Sequence, residues 1–168
     1  FGDVVYQYSL STAFNVGTAT YDSVSFTSNE TLPRSLFFST DGTKMYVLGQ
    51  GNSRVYEYTL STAFDLSTAS YNNVNLSVSS QETLPTGLFF NPDGTKMYVS
   101  GQNSDSIHQY TLSTGFDLST ASYDNSSFNI NTAGSSNYST GLAFNADGTK
   151  AYIVDTTLDS FLQYSTGL

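Results

Sequence analysis

Short apolar and aromatic runs, each of strand length, alternate along this sequence with polar turns. In one stretch such runs occupy residues 35–39, 44–48 and 54–60, and an Asp-Gly pair separates the first two. Asp-Gly is typical of a tight hairpin, because glycine takes the positive φ that a Cβ would penalise. A polar connection over 61–71 leads to a weaker run at 74–78. No segment keeps a helical period over about ten residues, so the pattern predicts a four-stranded antiparallel meander.

This meander recurs along the chain with a period of about 50 residues. The turn Asp-Gly-Thr-Lys occurs at 41–44, 93–96 and 147–150. A second repeated segment ends at Tyr8, Tyr58, Tyr110 and Tyr164. One such sheet cannot bury both of its faces alone, but it can when it packs face to face with neighbours around an axis. The sequence therefore predicts an all-β fold, a β-propeller of four-stranded antiparallel blades with three repeats per chain.

The count of repeats predicts a half-ring rather than a closed propeller. We expect a single domain over residues 1–168, with repeats at about 1–30, 31–79, 83–131 and 137–168, of which the first and last are partial blades. Open blade faces would expose a large apolar surface, which monomers rarely tolerate. We therefore expect a homodimer that closes a six-bladed ring. Because the chain begins and ends on the third strand of a blade, either one copy of that strand is displaced or the chain belongs to a longer array.

Charge and composition narrow the classes of partner. The chain carries five basic and 14 acidic residues, for a net charge of -9, and it contains no cysteine. A surface of this sign repels phosphate backbones and anionic lipids, so we expect no nucleic-acid partner and no membrane insertion. Without cysteine there is no disulfide framework and no thiolate metal site. We expect no cofactor, although the acidic loops could attract a hard cation such as Ca²⁺.

The run Gly-Leu-Phe-Phe-Asn-Pro-Asp-Gly-Thr-Lys-Met-Tyr-Val at 87–99 resembles the first hairpin of the YVTN/NHL-type propeller families. The longer segment at 55–71 resembles tandem repeats of propeller proteins from marine bacteria and their phages. The resemblance covers essentially the whole chain and implies a propeller. Such families include surface and adhesion modules as well as lactonase-type enzymes, and no catalytic motif of those enzymes can be matched to residues here.

Comparison between the repeats removes most charged residues from the functional candidates. The only histidine, His108, stands where the other copies have Tyr6, Tyr56 and Leu162, which indicates a packing position. Asp41, Asp93 and Asp147 belong to the repeated hairpin, where an aspartate side chain caps the turn. Asp65 and Asp117 share another repeated position, which indicates the start of a turn.

The remaining polar residues fall on loops that meet around the axis of a propeller, at its mouth. These loops enter the first strand of each blade or join its second and third strands, and such a mouth is a common ligand site. The candidate binding residues are Glu30, Arg34, Gln50, Asn52, Glu82, Gln102, Asn103, Asp105 and Asp155. Their carboxylates and amides could bind sugar hydroxyls or Ca²⁺. We predict no catalytic residue and no metal ligand.

The function expected from these observations is that of a non-enzymatic binding or structural module. We expect it on a surface, virion or secreted protein, and hence outside the cell, with a carbohydrate as ligand. One alternative is a propeller hydrolase or lactonase that uses the mouth. The other is a self-assembling scaffold whose only partner is itself.

Overall fold

The computed structural model describes residues 3–131, 138–156 and 159–165, and these form strands with three single turns of 3₁₀-helix between them. The strands lie in four antiparallel sheets of two, four, four and three strands, which we number 1 to 4 in chain order. Sheet 1 contains β1 (Val4–Leu10) and β2 (Ala19–Thr27). Sheet 2 contains β3 (Pro33–Phe38), β4 (Lys44–Gly49), β5 (Arg54–Leu60) and β6 (Ala69–Ser77).

Sheets 3 and 4 repeat the same order of hairpins. Sheet 3 contains β7 (Pro85–Phe90), β8 (Lys96–Gly101), β9 (Ser106–Leu112) and β10 (Ala121–Asn129). Sheet 4 contains β11 (Ser139–Phe144), β12 (Lys150–Asp155) and β13 (Ser160–Ser165). Part of the predicted last repeat, 137–168, lies outside the described residues. The prediction of an all-β chain made of antiparallel sheets is confirmed.

The Asp-Gly turns close the first hairpin of three sheets, as the sequence predicted. Gly42 has a φ of 71°, and the corresponding glycines of the next two copies have 72° and 73°. Asp41 Oδ1 accepts a hydrogen bond of 3.0 Å from the backbone N–H of Thr43, which fixes the turn. The glycine is required because an L side chain is strained at this φ.

The fourth strand differs from the prediction. It was expected at 74–78, but β6 begins at Ala69, directly after a 3₁₀ turn at Leu66–Thr68. Asp65 caps this turn by accepting a 2.9 Å hydrogen bond from Ser67 N, as expected of a residue that starts a turn. A bulge then shifts the pairing register of β5 and β6 between Glu57 and Tyr58. The bulge interrupts the alternation of apolar side chains, which hides the first half of the strand in the sequence.

Each four-stranded sheet turns alternate residues to opposite neighbours. On β4, Met45 and Val47 pack with the cluster that reaches sheet 1, whereas Tyr46 and Leu48 pack with the cluster that includes Phe90 of sheet 3. A third cluster joins sheet 3 to sheet 4. The apolar core therefore lies between the sheets, as it does between propeller blades.

A polar contact accompanies each of the first two apolar interfaces. The Gln7 side chain of β1 accepts a 2.8 Å hydrogen bond from Leu66 N, in the 3₁₀ turn of sheet 2. In the same way Glu57 of β5 accepts a 2.8 Å bond from Leu118 N, in the 3₁₀ turn of sheet 3. Glu57 also binds Lys44 Nζ at 2.8 Å. A third-strand side chain thus holds the turn of the following sheet; we call this contact the interblade joint.

The interblade joint at Glu57 predicts a graded loss of stability. Glu57→Ala removes the acceptor of both Leu118 N and Lys44 Nζ, and burying unpaired polar groups costs about 2–4 kcal/mol. Glu57→Gln restores the side chain of the first copy, which can still accept from Leu118 N, and we expect less than about half that loss. Urea unfolding of the two variants measures the difference. Equal losses would show that the joint does not depend on this acceptor.

Candidate functional site

The first strands of sheets 2, 3 and 4 lie side by side and form a central cleft. β7 contacts both β3 and β11, and the side chains of the second residues of these three strands face the same cleft. Arg34, Thr86 and Thr140, together with Gln102, line a cleft of about 260 Å³. The guanidinium of Arg34 donates from Nε and Nη2 to Gln50 Oε1 at 3.0 and 2.9 Å. The structure therefore brings together Arg34, Gln50 and Gln102 of the predicted mouth residues.

Sequence reasoning missed Thr86 and Thr140. Both occupy the strand position that Arg34 occupies in sheet 2, so alignment of the repeats on Arg34 would have found them. Small hydroxyl residues are too abundant in this chain to be singled out by type. Thr86 Oγ1 donates a 2.6 Å hydrogen bond to Ser139 O, which ties the first strands of sheets 3 and 4 together.

The two glutamates predicted at the mouth are buried and do not line the cleft. Glu82 has four hydrogen-bond donors around its carboxylate. Its Oε1 accepts from Leu84 N at 2.7 Å and Asn103 N at 3.2 Å. Its Oε2 accepts from Ser104 N at 3.0 Å and Ser104 Oγ at 2.7 Å. Glu82 is thus the anchor of the loop between β8 and β9 and not a carboxylate presented to a ligand.

Glu30 occupies the same position one sheet earlier with fewer partners. Its Oε1 accepts a 3.1 Å bond from Leu32 N, while its buried Oε2 has no hydrogen-bond partner among the residues that the structure describes. The side chain lies so close to the β4–β5 loop that a Cβ on Gly51 would come within 2.5 Å of Glu30 Oε1. Such a Cβ would also lie 1.9 Å from Thr31 Oγ1, so glycine is required here by the close approach of these two side chains.

The other predicted site residues do not line the cleft. Asn52 Nδ2 donates to Tyr56 OH at 3.0 Å, and the Asn103 side chain is exposed. Asp105 has a φ of 48° at the end of its loop. Asp155 is buried at the end of β12, opposite Ser139 in the register of the sheet.

The loop between β8 and β9 also places a serine against the only histidine. His108 is buried on β9, with Nε2 2.8 Å from Ser104 Oγ and Nδ1 3.5 Å from Tyr123 OH. Burial lowers the pKa of His108 below its ordinary 6.5, and the nearby Glu82 charge acts weakly in the opposite sense. His108 is therefore neutral at pH 7. In the tautomer with Nδ1 protonated, Nε2 accepts the proton of Ser104; in the other tautomer, Ser104 directs its proton to Glu82.

This pair was not foreseen, because His108 was interpreted alone as a packing residue. Comparison of the two positions together could have indicated the pair. Asn52 and Tyr56 occupy in sheet 2 the positions of Ser104 and His108, and they are also hydrogen-bonded to each other. A contact between loop and third strand is thus common to both sheets, but only in sheet 3 does it join a hydroxyl to an imidazole. A serine within hydrogen-bond distance of a neutral imidazole is an arrangement that can activate a nucleophile.

The described residues contain no group of three or more His, Cys, Asp or Glu side chains that could hold a metal ion. No helix in the described part of the chain is both long and apolar enough to cross a membrane.

Comparison with solved structures shows a propeller fold. A proposed 6-phosphogluconolactonase of Bacteroides uniformis matches 97% of this chain and 47% of its own, with a TM-score of 0.68 and 14% identity. The periplasmic gluconolactonase of Pseudomonas aeruginosa matches 79% and 36%, with a TM-score of 0.55 and 15% identity. The β-propeller domain of Cps50 (Swd1) from Myceliophthora thermophila matches 85% and 41%, with a TM-score of 0.57 and 10% identity.

The chain spans less than half the length of these three proteins. No protein-family model and no curated protein sequence matches it. The propeller fold implied by the YVTN/NHL resemblance is therefore confirmed, whereas membership of that family stays a prediction.

The comparison also corrects the function expected from the sequence. The expectation of a non-enzymatic binding or structural module with a carbohydrate ligand is wrong, because lactonase-type propellers stand among the structures that match. They agree instead with the alternative of a propeller hydrolase or lactonase. The burial of His108 agrees with its interpretation as a packing residue, but that interpretation did not include the contact with Ser104 that the structure shows.

The lowered pKa of His108 predicts how stability depends on pH. Between pH 6.5 and the lower pKa of the folded state, the unfolded chain binds a proton that the folded chain does not, so stability falls as the pH falls through this window. His108→Tyr, which restores the residue of the first two copies, removes this contribution. We expect urea midpoints of the variant to fall less between pH 7.5 and pH 5 than those of the parent chain. A parallel fall would show that His108 titrates equally in both states.

Proposed function

We propose that this chain is one half of a propeller hydrolase of the lactonase type, which opens a lactone or ester bond at the mouth with Ser104 as nucleophile and His108 as base. The observation that carries the proposal is the 2.8 Å separation of Ser104 Oγ and His108 Nε2. The loop that holds Ser104 also holds Gln102, which lines the central cleft. The fold of lactonase-type propellers supports this class of reaction.

The proposed reaction proceeds in two steps. Ser104 Oγ attacks the lactone carbonyl carbon as His108 Nε2 takes its proton, and the bond from that carbon to the ring oxygen then breaks. His108 returns the proton to the ring oxygen, which leaves as an alcohol, and the acyl group remains on Ser104. Water, deprotonated by the same nitrogen, then hydrolyses this ester and restores the serine.

The other roles in the site follow from its contacts. Glu82 holds the backbone of Ser104 through a 3.0 Å hydrogen bond, so it is a positioning residue. Because Ser104 Oγ lies within hydrogen-bond distance of both Glu82 and His108, transfer of its proton from one acceptor to the other requires only rotation about the Cβ–Oγ bond. Arg34, Gln102 and the threonine hydroxyls of the cleft offer donors for a substrate that carries several hydroxyls or an anionic group. A sugar lactone, the substrate named for two of the matching structures, has this chemistry.

The proposal includes closure of the ring by a second copy. The chain matches 47% of the length of the Bacteroides uniformis protein, so two copies supply about the length of one such chain. Two chains then form a six-bladed propeller in which each proposed site occurs twice.

Hydrolysis assays with single variants test this function. With sugar δ-lactones and small esters as substrates, we expect Ser104→Ala and His108→Tyr each to lower kcat/KM by about 100-fold or more, since each removes a partner in proton transfer. Asn52→Ala is the matched control, because it breaks the equivalent contact in sheet 2 and leaves the pair intact. We expect it to retain the parent rate.

A second series with a chelator or with added Ca²⁺ tests a different chemistry at the same mouth. A rate that depends on Ca²⁺ and not on Ser104 would replace the proposed nucleophile by a cation-assisted reaction. No hydrolysis above the uncatalysed rate across the substrates would overturn the proposed function.

A further inference from the structure

Each of the three strands that border the central cleft has a β-bulge at its second residue. The pairing of β3 with β4 shifts around Arg34, which is left without a partner in the ladder. The same shift leaves Thr86 of β7 and Thr140 of β11 out of their ladders. A bulge turns its extra side chain out of the regular alternation of the strand. These three bulge residues, together with Gln102, are the residues that line the cleft.

The side chains that the bulges redirect are all polar. β-Bulges are frequent next to functional sites, where they re-aim a side chain, although each one interrupts the hydrogen bonds of its ladder. Here the same interruption occurs in three sheets and brings a guanidinium and two hydroxyls to one place. The cleft is therefore a candidate binding site, and its charge decides which ligand fits.

The guanidinium of Arg34 is held in position without losing its charge. Gln50 Oε1 accepts hydrogen bonds from both Nε and Nη2, and a carboxamide has no charge with which to neutralise the arginine. The ion pairs that the described residues form belong to Lys44 and Lys96 and not to Arg34. Since the other lining residues are neutral, Arg34 is an uncompensated positive charge at the cleft.

The cleft also has hydrogen-bond donors that the described part of the chain does not use. Arg34 Nη1, the Gln102 amide and the Thr140 hydroxyl donate to no other described residue. Hydrogen bonds from a guanidinium to a carboxylate or phosphate are charge-assisted and about twice as strong as neutral ones. The volume of about 260 Å³ is below the range of about 300–1,000 Å³ that is usual for drug-sized ligands. The cleft therefore fits one small anionic group better than an extended ligand.

The net charge of the chain does not prevent an anion from binding here. The charge of -9 is spread over the whole chain, and at physiological ionic strength exposed charges are screened within about 8 Å. Glu30 and Glu82 precede β3 and β7, but both are buried and neither forms an ion pair with Arg34. At hydrogen-bond distance the guanidinium therefore dominates the local potential.

We infer that the cleft is an oxyanion subsite, in which Arg34 binds a carboxylate or phosphate group and Gln102 and Thr140 donate to its remaining oxygens. The substrate is then an anionic lactone or ester, and this assignment of the anion to a substrate rests on the proposed function. Gln102 lies two residues before Ser104 on the same loop. The anion is a group remote from the bond that breaks, and its binding energy orients the substrate toward the nucleophile.

Titration with inorganic phosphate and with acetate tests anion binding without catalysis. NMR at low salt follows the side-chain amide of Gln102 in the parent chain and its variants. We expect Arg34→Gln and Gln50→Glu each to weaken binding by about tenfold or more, because the first removes the charge and the second neutralises it. Arg34 is exposed, so its replacement does not endanger the fold. Arg54→Gln is the matched control, since it removes the same charge outside the cleft, and we expect it to keep the parent affinity.

The two anions distinguish the possible sources of the oxyanion. Saturation by phosphate alone indicates a phosphate ester, and saturation by acetate alone indicates a carboxylate; either result, or saturation by both, supports the subsite. Saturation by neither anion would overturn it. Equal affinity of Arg34→Gln and the parent chain would overturn it as well.

Hydrolysis then tests whether the anion belongs to the substrate. The comparison is between a neutral sugar δ-lactone and the same lactone with a phosphate or carboxylate away from the ring carbonyl. We expect the ratio of the anionic to the neutral kcat/KM to fall about tenfold in Arg34→Gln and to stay at the parent value in Arg54→Gln. An unchanged ratio in Arg34→Gln overturns the assignment to a substrate and keeps the hydrolase. Absence of all hydrolysis, with anion binding present, overturns the proposed function and keeps the oxyanion subsite.

Discussion

Every sheet of this fold has two apolar faces, and each face is buried only by the next sheet. Tyr58 on β5 is 0% exposed between its neighbours, whereas Tyr8, at the same position on β1, is 57% exposed. The residues are the same, so the difference comes from the missing neighbour and not from the sequence of the strand. The stability of one sheet therefore depends on the sheets beside it, as in repeat proteins whose units contact only their neighbours.

The polar groups at these interfaces make the stacking specific. Apolar faces alone would allow one sheet to slide over the next. A side chain on the third strand must accept a hydrogen bond from one particular backbone N–H of the following sheet, which fixes the position of that sheet. Glu57 adds an ion pair with Lys44 to this contact. The candidate site depends on the same order, since Thr86 of sheet 3 holds the first strand of sheet 4 through Ser139 O. The cleft would lose its shape if the sheets could move relative to one another.

The repeat allowed the strands and hairpins to be predicted, because Asp41 and Gly42 reveal a turn through local chemistry alone. It concealed the first half of β6, where a bulge breaks the alternation of side chains. The candidate site was harder to predict. The carboxylate of Glu82 is a group that often binds ligands, yet its two oxygens already accept hydrogen bonds from four donors. Backbone N–H donors cannot be recognised from a sequence. His108 is buried, as its packing position predicts, but comparison of one position at a time could not find its contact with Ser104.

If each sheet is stabilised by the sheets beside it, two strands with the same pairing within their own sheets should differ in stability according to their neighbours. β2 and β6 make this comparison, because each pairs antiparallel with the third strand of its sheet and has its register shift at the same place. Amide hydrogen exchange measures the difference directly, since local opening is rarer where both faces of a sheet are covered. We expect slower exchange along β6 than along β2, and equal exchange in the two strands would show that each sheet is stable without its neighbours.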